Sequence, residues 1–146
     1  MSDERSIPAP VLALLRLHNA IYRRTGGRLG HRLMGTPTLL LHARGAKTGV
    51  LRSSALGYWR DGEAYLIAAS NGGADRNPAW YHNLRAHSRV EVNVGRHRFP
   101  VNARPVTPED AEYARLWGIV TAKNKNYEKY QQATSRPIPL VVLTPA

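Results

Sequence analysis

The chain has 146 residues, no cysteine, and 21 Lys and Arg against 10 Asp and Glu, a formal net charge of +11. The length favours one domain with a core of its own, and the lack of Cys excludes disulfides and thiolate metal sites and fits a reducing compartment. The charge points to a polyanionic partner: nucleic acid, an anionic membrane surface or a multiply charged small molecule.

The acidic start, Met1-Ser2-Asp3-Glu4, is unlike a signal peptide, and no run approaches the roughly 18 apolar residues of a membrane span. A cytoplasmic protein is expected. From Ala9 to about Arg24, Val11, Leu14, Leu15, His18, Ile21 and Tyr22 recur at helical spacing, with Arg16, Arg23 and Arg24 towards the other side and Gly26-Gly27 as a stop. Such a helix packs on its own core, lies over a cleft, or rests on an anionic membrane at the inner face of the cell membrane. Residues 1–35 are read as this amphipathic helix and its lead-in, and 36–146 as the body of the single domain.

A buried strand is expected over Thr36 to Ala43, with Pro37 tolerated at its start. The turn Gly45-Ala46-Lys47-Thr48-Gly49 follows, then a strand over about Leu51 to Arg60. Asp61-Gly62 signals a hairpin, and Glu63 to Ala69 returns as a strand buried on both faces. Ser70 to Pro78 is a polar, Gly-rich loop that leads into a short helix, with Asn77 as N-cap and Pro78 at the first helical position. Strands over Arg89 to Val94 and His97 to Val106 flank Gly95-Arg96. Thr107 and Asp110 resemble a capping box before a long helix, Pro108 to about Ala133, whose middle at Ala122 to Asn126 is weak. A last strand runs from Ile138 to Leu143. Hairpin connections dominate, so the expected fold is α+β: about six mostly antiparallel strands in a small, partly open barrel, an N-terminal helix and two further helices.

The glycines of the 45–49 turn permit an anion-binding nest of backbone amides, with Lys47 and Arg52 adding charge; the plainer reading is a basic surface hairpin. A nucleotide P-loop is rejected, because Ala46 precedes Lys47 and a strand follows instead of a helix. The six His residues show no metal-ligand spacing, and no Gly-x-Ser-x-Gly elbow is present. Nucleic-acid binding is disfavoured, since the aromatics cluster at Trp80-Tyr81 and at Tyr127 and Tyr130 and do not alternate along one sheet. What remains is a small-molecule cofactor site built from the basic turn, the strand end Ala68-Ala69-Ser70 and the start of the short helix.

Three motifs and the chain end then carry a resemblance: Gly45-x-Lys47-Thr48-Gly49-x-x-Arg52, Ala69-Ser70-x-Gly72-Gly73, Asn77-Pro78-x-Trp80-Tyr81-x-Asn83-Leu84, and Ile138-Pro139-Leu140-Val141-Val142-Leu143. Over about residues 36–146 the chain resembles the actinobacterial deazaflavin-dependent nitroreductase family, F420H2-dependent reductases with a split β-barrel. The resemblance implies that Ala46, Lys47 and Thr48 bind the phosphate or tail of F420. Arg52, Ser53, Ser54, Ala55, Leu56 and Gly57 would run along the cofactor, with Ala55 beneath the ring. It further implies ring contacts from Ala68, Ala69, Ser70 and Asn71. Closure would come from Ala79, Trp80, Tyr81, His82 and Asn83 on the short helix, and Lys125 would reach in from the last helix. Trp80 is equally well read as core. The implied reaction is hydride transfer to an enone, an unsaturated lactone, a quinone or a nitro compound, with Tyr127, Tyr130 or solvent as proton source. The chain departs from the family at Ala46, often Arg there, and at Ala55, Gly57 and Asn71, often Pro, Tyr and Lys. Ala122 and Lys125 replace part of a Tyr-rich last helix, so nitroimidazole reduction is not carried over. An FMN- or haem-binding split barrel and a basic nucleic-acid-binding module are the alternatives.

Overall fold

The computed structural model describes Arg32–Leu33 and residues 36–146. The expected N-terminal helix lies outside the described residues. The described strands are β1 (Arg32–Leu33), β2 (Thr36–Arg44), β3 (Leu51–Gly57), β4 (Trp59–Asp61), β5 (Ala64–Ala68), β6 (Arg89–Val94), β7 (His97–Val106) and β8 (Leu140–Pro145). The helices are α1 (Ala79–Ala86), α2 (Tyr113–Lys123) and α3 (Asn126–Ala133), with a 3₁₀ turn at Asn71–Gly73. Every strand pairing is antiparallel.

About six strands were expected, and eight are present among the described residues. One addition is the two-residue β1, paired with the start of β2. The other arises because the run expected over 51–60 breaks at Tyr58. Its first part pairs with β2 and its second with β5. The sheet order is β3-β2-β6-β7-β8-β5-β4, so this one run of chain leaves one edge and joins the other. The Tyr58 amide donates to Pro37 O (2.9 Å) at the crossing. The result is a curled antiparallel sheet consistent with a split barrel.

Alternation along the strands separates two cores. Leu39, Leu41 and Ala43 of β2 pack with Tyr65 and Ile67 of β5, Val90 and Val92 of β6, and Val141 and Leu143 of β8; Trp80, Tyr81 and Leu84 of α1 cap this cluster. The opposite faces of β5 and β8, Leu66, Ala68, Leu140 and Val142, pack with Trp59 and with Leu116 and Val120 of α2. Thus β5 is buried on both faces, as its unbroken apolar run implies.

The helices differ from expectation at their ends. Thr107 and Asp110 do bond, the Thr107 amide donating to Asp110 Oδ2 (2.8 Å). The pair closes a turn, and helix begins only at Tyr113. The chain also leaves the helix at Asn124 and Lys125, where Asn124 Oδ1 accepts from the Asn126 amide (3.0 Å). An Asx-type bond of this kind competes with helical pairing, so the long helix becomes α2 and α3. At α1 the N-cap is Pro78, and no side chain caps it. Asn77, expected there, accepts instead from Arg136. Among the described residues no helix is long and apolar enough to cross a membrane.

Candidate functional site

The hairpin between β2 and β3 is closed by its own backbone. The Gly45 amide donates to Val50 O (2.8 Å), the Gly49 amide to Gly45 O (2.9 Å), and the Val50 amide to Thr48 Oγ1 (3.2 Å). Gly49 has φ +69°. At Gly45, a Cβ would stand 2.5 Å from Thr48 Oγ1, the atom that holds Val50. The Ala46 amide donates to Asn83 Oδ1 on α1 (2.9 Å). The open nest of amides expected from the glycines is therefore largely engaged. The amides of Lys47 and Thr48 are left without an acceptor among the described residues. Anion attraction at this turn rests on Lys47 and Arg52, both exposed and without an ion pair among the described residues.

Strand β3 does not offer one continuous wall. Arg52, Ser54 and Leu56 pair with Ala43, Leu41 and Leu39 on the side of the first core. Ser53, Ala55 and Gly57 pair with His42, Leu40 and Thr38 on the opposite side. Side chains from only one of these sets can face a given flat ligand. On the Ser53 side, His42 is buried; its Nε2 donates to Asn93 Oδ1 (2.6 Å) and its Nδ1 accepts from the Ser53 hydroxyl (2.7 Å). Burial lowers the His42 pKa below 6.5; Arg98 adds to this, and the Asn93 bond and Glu91 oppose it.

The second component is the loop from Ala69 to Asn77. Ala69 belongs to the first core and Ala68 to the second; Ser70 is buried. Asn71, Gly72 and Gly73 have φ of +48°, +65° and +85°. Gly73 abuts α3, where a Cβ would come within 3.1 Å of both Tyr130 O and Ala133 Cβ. Arg136, beyond α3, donates to Ala69 O, Ser70 O, Ala74 O and Asn77 Oδ1. Sequence reasoning missed Arg136, and no local signal marks it.

On α1, Trp80 and Tyr81 are core, Asn83 reaches the hairpin, and Ala79 and His82 are exposed. Lys125 is exposed at the α2–α3 junction. Tyr127 and Tyr130 pack against the second core, Tyr127 edge-on to Trp59 at 4.9 Å and to Tyr130 at 5.2 Å. Burial, with Tyr130 beside it, pushes the Tyr127 phenol well above its ordinary range. Tyr113, whose hydroxyl donates to Ile138 O (2.6 Å), is pushed up to about 12 by burial. The structure thus joins the hairpin to α1 through Asn83 and joins the loop to α3 through Gly73. It splits the β3 residues between two faces.

The family model for F420H(2)-dependent quinone reductase matches residues 14–145. The chain belongs to this family. It is an oxidoreductase family, and reduced coenzyme F420 is the cofactor. An F420H(2)-dependent quinone reductase of Mycobacterium tuberculosis (strain ATCC 25618 / H37Rv) is 62% identical over 133 residues, covering 90% of this chain and 89% of the relative. A solved F420-H2 dependent reductase (FDR-A) superimposes with a TM-score of 0.66 at 31% identity, over 73% of this chain and 93% of its own. Another solved structure, described as a domain-swapped dimer, has a TM-score of 0.67 at 28% identity over 92% and 99% of the two chains.

The donor set fits F420. The cofactor carries a phosphodiester and carboxylates at one end and a flat ring at the other. The turn, with Lys47 and Arg52 exposed and without an ion pair among the described residues, suits the anionic end. The Ser70 loop supplies neutral donors suited to ring oxygens.

Proposed function

We propose that this reductase uses reduced F420 to reduce a quinone, with the anionic end of the cofactor held at the Gly45–Arg52 hairpin. The observation that carries the reading is the pair of exposed cations, Lys47 and Arg52, on a turn docked to α1 by the Ala46–Asn83 bond (2.9 Å). Bound reduced F420 supplies a hydride from C5. The protein's part is to bind and orient: Lys47 and Arg52 attract phosphate and carboxylates, with Ala46 and Thr48 beside them. Ser54 and Leu56, or Ser53, Ala55 and Gly57, supply one wall, according to which face of β3 the ring takes. Ala68, Ala69, Ser70 and Asn71 contact the ring, Ala79, Trp80, Tyr81, His82 and Asn83 close the site, and Lys125 adds charge from the helix junction.

Quinones are the first acceptor to test, and enones, unsaturated lactones and nitro compounds belong in the same assay, because each accepts a hydride at an electrophilic centre. Tyr127 and Tyr130 remain the proposed protein proton donors, alongside solvent. The protein is proposed to work in the cytoplasm, with the amphipathic segment from Ala9 to about Arg24 resting on anionic membrane where a lipid-soluble quinone resides. Vesicle co-sedimentation with and without these residues tests that part alone.

The deciding experiment is a titration with F420, followed by quinone-dependent oxidation of reduced F420 in wild type and Lys47→Ala. Saturable binding, weakened in the variant, supports the site. Absence of saturable binding in wild type, or binding untouched by the substitution, refutes it.

A further inference from the structure

Arg136 reaches a loop 59 to 67 residues away in sequence. Its Nε donates to Ala74 O (2.8 Å), its Nη1 to Asn77 Oδ1 (2.8 Å), and its Nη2 to Ala69 O (3.2 Å) and Ser70 O (2.9 Å). One planar guanidinium thus gathers three carbonyls and a side-chain amide from the end of β5 to the start of α1. Arg136 is itself held from below: Gln131 Nε2 donates to Arg136 O (2.8 Å), and the Arg136 amide donates to Thr134 Oγ1 (3.3 Å).

The consequence follows from the planar trans peptide, in which C=O and N–H point in opposite directions. With the carbonyls of Ala69 and Ser70 drawn to Arg136, the amides of Ser70 and Asn71 face the other way. Neither amide has an acceptor among the described residues. The dihedrals agree. Ser70 is right-handed (φ −74°, ψ −32°) and Asn71 has φ +48°. That alternation turns successive amides into a concavity for an electron-rich atom. Asn71 is the one non-glycine residue with positive φ among the described residues, a conformation that persists only where its surroundings hold it. Here the Asn71 Nδ2 bond to Arg76 O (3.1 Å) and the packing of Gly73 on α3 hold it. The Ser70 hydroxyl, with the residue 8% exposed, also lacks a partner among the described residues. Buried polar groups are nearly always bonded, so the buried Ser70 hydroxyl and the two amides beside it are open to an acceptor beyond the described residues.

We propose that Arg136 is a positioning residue for the cofactor: it aims the Ser70 and Asn71 amides, together with the Ser70 hydroxyl, as donors to an oxygen of the deazaflavin ring system. The role rests on the reading of this protein as an F420 reductase. Arg136 touches no reacting atom; it acts through the loop.

The test compares wild type, Arg136→Lys, Arg136→Ala and Ser70→Ala. Arg136→Lys keeps the charge and stem and loses the fork. Three things are measured: the affinity for oxidised F420, the visible absorption band of bound F420, and quinone-reductase KM and kcat. Arg136→Ala is measured with and without millimolar guanidinium, and thermal unfolding is recorded throughout. Both Arg136 variants are expected to weaken F420 binding on the order of tenfold to a hundredfold. The bound cofactor's band should shift towards that of free F420. KM for F420 should rise more than kcat falls, and guanidinium should restore part of the lost affinity. Ser70→Ala should reproduce part of the band shift without loss of thermal stability, which keeps the test informative if Arg136→Ala fails to fold. Variants that lose thermal stability yet bind F420 with the wild-type affinity and band would overturn the role. Wild type that does not bind F420 would overturn the cofactor reading and this role with it, whereas variants that bind like wild type would overturn the role alone.

Discussion

The Gly45–Gly49 hairpin and the Ser70–Asn77 loop both adjoin α1, and they are built in opposite ways. The hairpin is closed by bonds among neighbours: Gly45 to Val50, Gly49 to Gly45, Val50 to Thr48. Its hydrogen bond to α1 runs from the Ala46 amide to Asn83. Its cations are exposed and its glycine at φ +69° has open space beside it. The loop is closed from afar, by Arg136 and by α3, with Ser70 and Gly73 buried. A locally closed turn tolerates change and loses function through charge. A remotely closed loop has no such slack, and steric change there unfolds it.

Glycine substitution separates the two most sharply. Gly73→Ala adds left-handed strain to a contact of 3.1 Å with Tyr130 O, a backbone atom that cannot swing away. The two costs together should destabilise the fold by about 2–4 kcal/mol, read from urea unfolding. Gly49→Ala meets nothing within 4 Å and should cost only the strain, about 1–2 kcal/mol. Equal losses at the two positions would break the comparison.

Charge removal should invert the ranking. Lys47→Ala is expected to leave unfolding unchanged and to weaken F420 binding by about 1.5–3 kcal/mol, roughly one to two decades in Kd. Asn83→Ala lies between the two cases, because it frees the Ala46 amide and loosens the hairpin from α1. About 0.5–1.5 kcal/mol of stability should be lost, with F420 affinity falling less than in Lys47→Ala. A larger affinity loss in Asn83→Ala would mean that docking of the turn, and not its charge, governs binding.

The same contrast explains what could be read from residues alone. The hairpin was legible because its glycines, its lysine and its flanking apolar runs lie within one short window. The short helix and the β6–β7 hairpin were legible for the same reason. The break at Tyr58 was not. Residues 51–60 hold no Pro and no two-residue turn signal, and only closure of the sheet, with β3 on β2 and β4 on β5, divides them. Asn77 carries the local chemistry of an N-cap, yet Arg136 takes its side-chain oxygen. Thr107 and Asp110 form the bond that their spacing implies, but around a turn. The misses at Tyr58 and Asn77 came from partners far along the chain, which a local window does not contain. In the site, the basic turn was visible and its engaged amides were not, because the Ala46 bond depends on Asn83, 37 residues on.

The smallest effect should come from pH, at the base of the hairpin. His42 is buried between Ser53 and Asn93, with Glu91 and Arg98 on the neighbouring strands. Burial depresses its pKa in the folded state below the unfolded value near 6.5, while the Asn93 bond pulls the other way, so the net shift is downward but opposed. The unfolded chain therefore binds more protons than the folded one between the two pKa values. Stability rises with pH across that interval. The contribution is full above about pH 6.5, declines as pH falls through the folded pKa, and is flat below it. His42→Gln should remove this slope, so that the difference in unfolding free energy between wild type and variant narrows from pH 7.5 to pH 5. The measurement also separates the two regions: among the described residues His42 bonds to Ser53 and Asn93 and to no group of α1 or the Arg136-held loop, so Arg136→Lys should leave the slope intact. A slope lost in Arg136→Lys would show that the hairpin and the loop share one cooperative support.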